Sequence, residues 1–336
     1  MKKIILTLVL CNFLIVSNAQ ESFKKLIEAG IANHDSGKYE EAIKFYKKAQ
    51  EIQPDSELVN YEISLSYYTM KNYKKAIEYS SKVIDKGENH LLPAYLTKGS
   101  ALDMIGKTKK SIKLFKKGIK KLGDHYLLHF NLAINYLKIK EDSDGEKHLI
   151  EAIKNNPFHA SSHYHLAQIH DNKMNRVPAL LSSYYFMLIE PESMRADDIY
   201  SIIKKYLGKK VNKDSKNITI NLSSNIKSEF SAADLMVAML QVSDTLEENE
   251  GKSEEEMFVK KTDDFFSMLG ELKESGKKSN IWWDFYIPFF KKLADSNHIE
   301  TYCKFITQID LKSKSWLEQN EDKITAFFEW LKKELK

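Results

Sequence analysis

Along the first half of the chain, small and large residues recur at the three- and four-residue steps of helices. Leu26, Ala29, Gly30 and Asn33 share one face, and Ala42, Tyr46 and Ala49 share the next, with Gly37 between the two runs. The pattern then repeats. Ala42 is followed by Ala76, Ser111, Gly145 and Ala179 at spacings of 34, 35, 34 and 34 residues. Gly30, Ser64, Gly99, Ala133 and Ala167 form a second small column, and Asn33, Tyr67, Leu102, Tyr136 and His170 a mostly large one. Pro54, Glu88, Gly123, Pro157 and Pro191 stand at or near the end of each unit. Such columns predict pairs of antiparallel helices: small residues let the two helices approach, large ones fill the space beside them, and proline ends the second helix.

With these columns the stretch from Phe23 to Ser193 resembles the tetratricopeptide repeat family as five units, 23–56, 57–91, 92–125, 126–159 and 160–193. Unit one matches best. Later units depart from the pattern, with Ser111 and Gly145 for alanine, and Thr108, Asp142 and Arg176 where units one and two have Tyr39 and Tyr73. The resemblance implies a superhelix whose first helices line a concave groove. It places Leu58, Tyr61, Leu65 and Tyr68 there in unit two, Leu96, Ser100 and Asp103 in unit three, Leu127, Phe130, Ile134 and Leu137 in unit four, and Tyr164, Gln168 and Asp171 in unit five. The Lys, Arg and Asn clamp with which the best-known peptide-binding members grip a terminal carboxylate is missing. An apolar stripe remains, and Tyr61, Leu65, Tyr68, Leu96, Phe130, Ile134, Leu137 and Tyr164 are the candidate partner-binding residues. Burying one Leu or Phe side chain is worth roughly 1.5–3 kcal/mol, so such a stripe calls for an occupant. A protein or peptide partner and the chain's own C-terminal half are both open as occupants.

Beyond Glu192 the 34-residue period vanishes. Ala196 to Leu207 predicts a helix, and the alternation of Ile218, Ile220 and Leu222 within residues 209–224 a short strand. Ser231-x-x-Asp234 opens an amphipathic run, and the acidic stretch from Glu247 leads into a capping box, Ser253-x-x-Glu256. The most apolar stretch, Ile281 to Phe290, is too short to span a membrane and predicts a core helix. A last helix carries Ile324, Phe327, Phe328, Leu331 and Leu335. The expectation is an all-α protein, a repeat superhelix followed by a helical C-terminal domain (194–336) with at most a short strand. That domain is similar to the tails of uncharacterised exported repeat proteins of the Bacteroidetes, a likeness that brings no activity with it.

Composition agrees with helix: twelve Gly and six Pro in 336 residues leave little for hairpin turns. Lys2 and Lys3, an apolar run from Ile4 to Val16 and the small residues before position 20 predict a signal peptide over 1–19, cut after Ala19, and hence a periplasmic or secreted chain. The cut removes Cys11 and takes the formal charge from +4 to +2. Nearly all cations are lysine, Arg176 and Arg195 being the arginines, which argues against a specific nucleic-acid reader. Lysine runs such as Lys116-Lys117 and Lys120-Lys121 are read as solvated helix faces. Cys303, left alone after the cut, reads as a small buried hydrophobe. His159, His163, His165 and His170 cluster in unit five, yet His163 and His170 fall in packing columns. No phosphate loop, nucleophile elbow, H-E-x-x-H or C-x-x-C occurs. No catalytic residue, metal site or cofactor is therefore expected, nor a nucleic-acid partner or a membrane span in the mature chain. The functional expectation is an exported, non-catalytic scaffold that binds a peptide or helix. The alternative is an enzyme or envelope-assembly subunit acting through its C-terminal domain, with the groove filled by its own chain. A polar pocket around Asp284, His298 or Cys303 would favour the enzyme.

Overall fold

The structure is a computed structural model that describes residues 2–208, 229–272 and 279–335, with side chains from residue 19 onward. The strand expected at Ile218 to Leu222 lies outside the described residues. Among those described, every regular element is a helix or helical turn and none is a strand. The chain is all-α and divides into two compact units, Met1–His148 and Leu149–Lys336.

In the first unit, α1 (Lys2–Asp35), α3 (Glu57–Thr69), α5 (Leu91–Met104) and α7 (Tyr126–Lys138) alternate with α2 (Tyr39–Ile52), α4 (Tyr73–Lys86), α6 (Thr108–Leu122) and the start of α8 (Asp142–Asn155). The small columns explain the pairing. Each of their members here is buried, and two are glycine because an aromatic ring lies on them. A Cβ on Gly30 would come within 2.3 Å of the Tyr46 ring, and one on Gly99 within 2.2 Å of Phe115. Both rings are buried, so neither can swing aside. At Ser111 the column gains a polar bridge. Its hydroxyl donates to the Gly99 carbonyl at 2.7 Å and accepts from the Asn135 amide at 2.6 Å, joining α5, α6 and α7. Acidic Glu57 is likewise buried. Its carboxylate takes the backbone N–H groups of Glu88 and Asn89 at 3.0 and 2.7 Å, tying α3 to the turn after α4.

The turn inside each pair follows a column that the side chains conceal. Gly37, Lys71, Gly106 and Lys140 all hold a left-handed backbone, with φ of 76°, 61°, 75° and 63°. After each, a backbone N–H reaches back to the carbonyl five residues earlier, as Lys38 to Asn33 and Asn72 to Tyr67 do at 2.8 Å. This is the Schellman closure, which needs one left-handed residue and satisfies carbonyls at the helix end. Glycine adopts that backbone freely; lysine does so at a cost of about 1 kcal/mol.

In the second unit, α9 (Ala160–Asn172) and α10 (Arg176–Ile189) form a further pair, with Met174 at φ 55° in the same kind of turn. Thirteen of the fourteen α10 residues are buried, so this helix is enclosed on every side. Its Tyr184 ring is the hub, 4.9 Å from Phe266, 6.1 Å from Phe290 and 6.3 Å from Tyr302. These partners come from α13 (Glu254–Glu271), α14 (Ile287–Ala294) and α15 (Ile299–Ile306). Tyr184 shares a 2.7 Å hydrogen bond with Thr262, and the Tyr302 hydroxyl donates to the Tyr184 carbonyl at 2.9 Å. Seven of the ten residues at 281–290 are buried, in line with the expected core helix, with Asp284 exposed, and Trp282–Tyr286 winds as a π-helical turn. The capping box at Ser253 and Glu256 forms at the start of α13. Short helix α12 (Ser231–Leu240) precedes it, and α16 (Leu311–Gln319) and α17 (Glu321–Glu334) end the chain. Within α17, Phe327 is fully buried whereas Phe328 is 42% exposed.

One expectation changes. The 34-residue step does not end at Glu192. Helix α11 (Met194–Leu207) bonds to α9 at that separation three times: Arg195 to Ser161 at 3.0 Å, Tyr164 to Asp198 at 3.3 Å and Lys205 to Asp171 at 2.7 Å. It takes the packing position of a sixth first helix, and Ser201, 34 residues after Ala167, continues the small column although it is exposed.

Candidate functional site

In the first unit, Tyr61, Leu65 and Tyr68 occupy one face of α3 at steps of four and three, Leu96 lies on α5, and Phe130, Ile134 and Leu137 lie on α7. Successive first helices touch, which brings these positions into one series. All seven are half-buried. Part of each surface is used to hold the repeats together. Tyr61 stacks on His90 with ring centres 5.8 Å apart and planes 6° from parallel, and it packs with Leu96 against the core of the third pair. Tyr68 meets Tyr73 edge-on at 5.6 Å. Burial raises both phenols above the ordinary range, so they stay neutral donors. Leu137 lies over Gly145, where a Cβ would approach it to 2.5 Å, which accounts for glycine in that column. Polar residues mark the lower rim: Asp103 accepts from Lys138 at 3.0 and 3.1 Å and from Thr108 at 2.6 Å, linking α5 to α7.

Tyr164, the eighth candidate, lies in the second unit, where the chain itself engages it. Its hydroxyl donates to Asp198, and the Arg195 guanidinium stands 5.1 Å over its ring. The histidines near it are packing groups. A carbonyl only accepts, so the His163 Nε2–H donates to Pro157 at 2.8 Å, and Nδ1 is left to accept from the Tyr286 hydroxyl at 2.7 Å. Burial pushes the His163 pKa down to about 3. His170 meets Trp282 edge-on at 5.0 Å.

A different histidine pair escapes sequence reading because its members lie nineteen residues apart on separate helices. His129 Nε2 bonds Asp124 at 3.1 Å, which leaves its Nδ1 to meet Nδ1 of His148 at 2.9 Å. Burial, and after it the neighbouring His129, pushes His148 down to about 4.

The second unit also holds a cavity of about 750 Å³ floored by Tyr200, Phe258 and Cys303. Burial pushes the Cys303 thiol far up, so no thiolate forms there. Two of the cavity's lysines are committed: Lys261 donates to Asp244 at 2.6 Å and to the Leu207 carbonyl at 3.1 Å, and Lys304 to Glu255 at 2.6 Å. His298 sits elsewhere, against Phe327 and Trp330, and Asp284 accepts from Ser279.

Two sequence comparisons bear on this architecture. Residues 35–118 match the family model described as anaphase-promoting complex, cyclosome, subunit 3. A TPR repeat-containing protein of Methanocaldococcus jannaschii is 30% identical over 123 residues, which is 37% of this chain and 21% of that protein. The chain carries tetratricopeptide repeats. The repeats occupy a chain that spans about a fifth of that curated relative's length. Among solved structures, a tetratricopeptide protein of Thermus thermophilus is similar at 14% identity and a TM-score of 0.45, over 54% of this chain and 98% of its own. YrrB, described as a TPR protein with an unusual peptide-binding site, is similar at 18% identity and 0.42, over 52% and 90%. MamA from Desulfovibrio magneticus aligns at 16% and 0.43, over 55% and 96%. Tetratricopeptide folds are typically non-enzymatic scaffolds that bind proteins or peptides. Among the described residues, no helix is long and apolar enough to cross a membrane.

Proposed function

We propose that this chain is an exported interaction scaffold, without catalytic activity, that binds a peptide or helix on the groove face of its first unit. The reading is carried by one observation: Tyr61, Leu65, Tyr68, Leu96, Phe130 and Ile134 stand in register on three successive first helices with part of each side chain still open to solvent. Aromatic and aliphatic residues spaced along a helical groove suit the anchors of an amphipathic helix, which recur every three or four residues. Tyr164 belongs to the same series by sequence, but its ring is already matched by Arg195 and Asp198. The apolar run behind Lys2 and Lys3 supports export.

The test is affinity capture with the full chain and with a Tyr61→Ser, Tyr68→Ser, Phe130→Ser variant, with captured proteins identified by mass spectrometry. Loss of specific partners in the variant at unchanged helix content is expected. An identical set of partners would sink the groove. N-terminal sequencing of protein recovered outside the cytoplasm, expected to begin at Gln20, tests export separately.

A further inference from the structure

The outer helix of the third repeat differs from its neighbours in charge. Helix α6 reads Thr-Lys-Lys-Ser-Ile-Lys-Leu-Phe-Lys-Lys-Gly-Ile-Lys-Lys-Leu, with seven lysines and no acidic residue in fifteen positions. Its inner face is ordinary core: Ser111, Ile112, Phe115 and Gly118 are buried. Lys109, Lys110, Lys113, Lys116, Lys117, Lys120 and Lys121 are all exposed. At 100° per residue they fall within an arc of about 140°, along a helix about 22 Å long.

Such an arrangement opposes the stability of its own helix. Lys109 and Lys113, Lys113 and Lys117, Lys116 and Lys120, and Lys117 and Lys121 are like charges one turn apart, each pair unfavourable. The two preceding outer helices also hold such pairs, Lys44 and Lys48 on α2 and Lys82 and Lys86 on α4, but only one each, and they interleave acids among their lysines. On α2, Lys44 pairs with Glu41 at 2.6 Å, and on α4, Lys82 pairs with Glu78 at 3.6 Å. None of the seven α6 lysines has a carboxylate bonded to it among the described residues. Lys116 is engaged by the Tyr136 ring, whose centre lies 5.4 Å away, and Asp144 at the start of α8 is the nearby acid that favours its charge. Self-repulsion of this kind is relieved when a polyanion lies against the row.

We propose that the outer face of α6 is a docking surface for anionic lipid headgroups. Lysine suits that partner better than a specific nucleic-acid site. It acts as a flexible point charge rather than as the planar fork that reads guanine or grips a single phosphate. A membrane surface asks only for several cations on one side, and the attraction adds up over them. The surface is separate from the groove face of the first helices, so this proposal stands whether or not a peptide binds there.

The test is sedimentation of the full chain with vesicles of equimolar phosphatidylcholine and phosphatidylglycerol, beside vesicles of phosphatidylcholine alone. Binding only to the anionic vesicles, and loss of it as ionic strength rises, is expected. A Lys109→Gln, Lys113→Gln, Lys116→Gln, Lys120→Gln variant should lose about fivefold in partitioning for each lysine removed. A control with the same change in net charge, Lys47→Gln, Lys74→Gln, Lys312→Gln, Lys333→Gln, should keep most of its binding. Equal losses in the two variants, equal binding to both vesicles, or retention on immobilised heparin or DNA without vesicle binding would each overturn the proposal.

Discussion

Helices α6 and α10 hold the same place in their repeats, yet one is an outer wall and the other a central pillar. Five of the fifteen residues of α6 are buried, against thirteen of fourteen in α10. The difference is chemical before it is structural. Helix α6 alternates Lys pairs with Ile and Phe, so it offers one apolar stripe and otherwise prefers water. Helix α10 has no charge after Arg176 and offers apolar or small residues all round, which demands cover on every side. The tail supplies that cover as a cluster of Phe, Tyr and Trp rings. A repeat column therefore specifies how two helices meet, while the residues between columns decide what else the pair meets.

That contrast should be easiest to break at Tyr184. Tyr184→Ala removes a fully enclosed ring and strands the Thr262 hydroxyl, and should cost the second unit about 3–5 kcal/mol. Hydrogen exchange resolved by peptide should show α10, α13 and α15 opening while α2 to α6 keep their protection. A uniform loss across both units would mean that the two cores are not separable in this sense.

Acid should sharpen the comparison. His148 in the first unit and His163 in the second are both held below the ordinary 6.5 when folded, to about 4 and about 3. Between those values and 6.5 the unfolded chain binds the additional proton, so stability falls as pH is lowered through that window and is fully present above it. For deeply buried His163 the effect should reach a few kcal/mol. For half-buried His148 it should be smaller and level off sooner. Denaturant midpoints of the wild type, His148→Gln and His163→Gln as a function of pH check this. Parallel pH profiles for all three proteins would refute it.

The smallest effect concerns what the units share. Lys71, Lys140 and Met174 hold the left-handed turn that Gly37 and Gly106 adopt without strain. Lys71→Gly and Lys140→Gly should each stabilise the first unit by a few tenths to about 1 kcal/mol, the strain relieved less the entropy that glycine adds to the unfolded chain. Met174→Gly should do the same for the second. Thermal melts that shift downward would show that lysine's side chain compensates for its backbone.

The helix pairs and their small columns were legible in the sequence because a close approach tolerates few residue types, and Gly30 and Gly99 beneath aromatic rings show the constraint directly. The turn column at 37, 71, 106, 140 and 174 was hidden because a left-handed backbone admits several side chains at modest cost, so residue identity drifts while geometry stays. The enclosure of α10 had a signal, its lack of lysine beside the seven of α6, but periodicity alone does not reveal it. The candidate groove was legible as positions, not as surroundings. The 34-residue step carried past Glu192 would have brought Asp198 to Tyr164, but nothing in the spacing foretold that His129 would meet His148.

The three bonds between α9 and α11 have a consequence for how copies of this molecule can associate. A stack of identical helix pairs has a growing end, and an uncovered last pair invites the first pair of another copy, a contact that propagates without closing. Here the position of the next first helix is already taken by the chain's own α11. Helix α11 is in turn held by Gln241, which donates to the Tyr206 carbonyl at 2.8 Å, and by Phe258, which meets Tyr200 edge-on at 5.9 Å. The last helix pair is thus covered by the chain's own α11 rather than left open to the first pair of another copy.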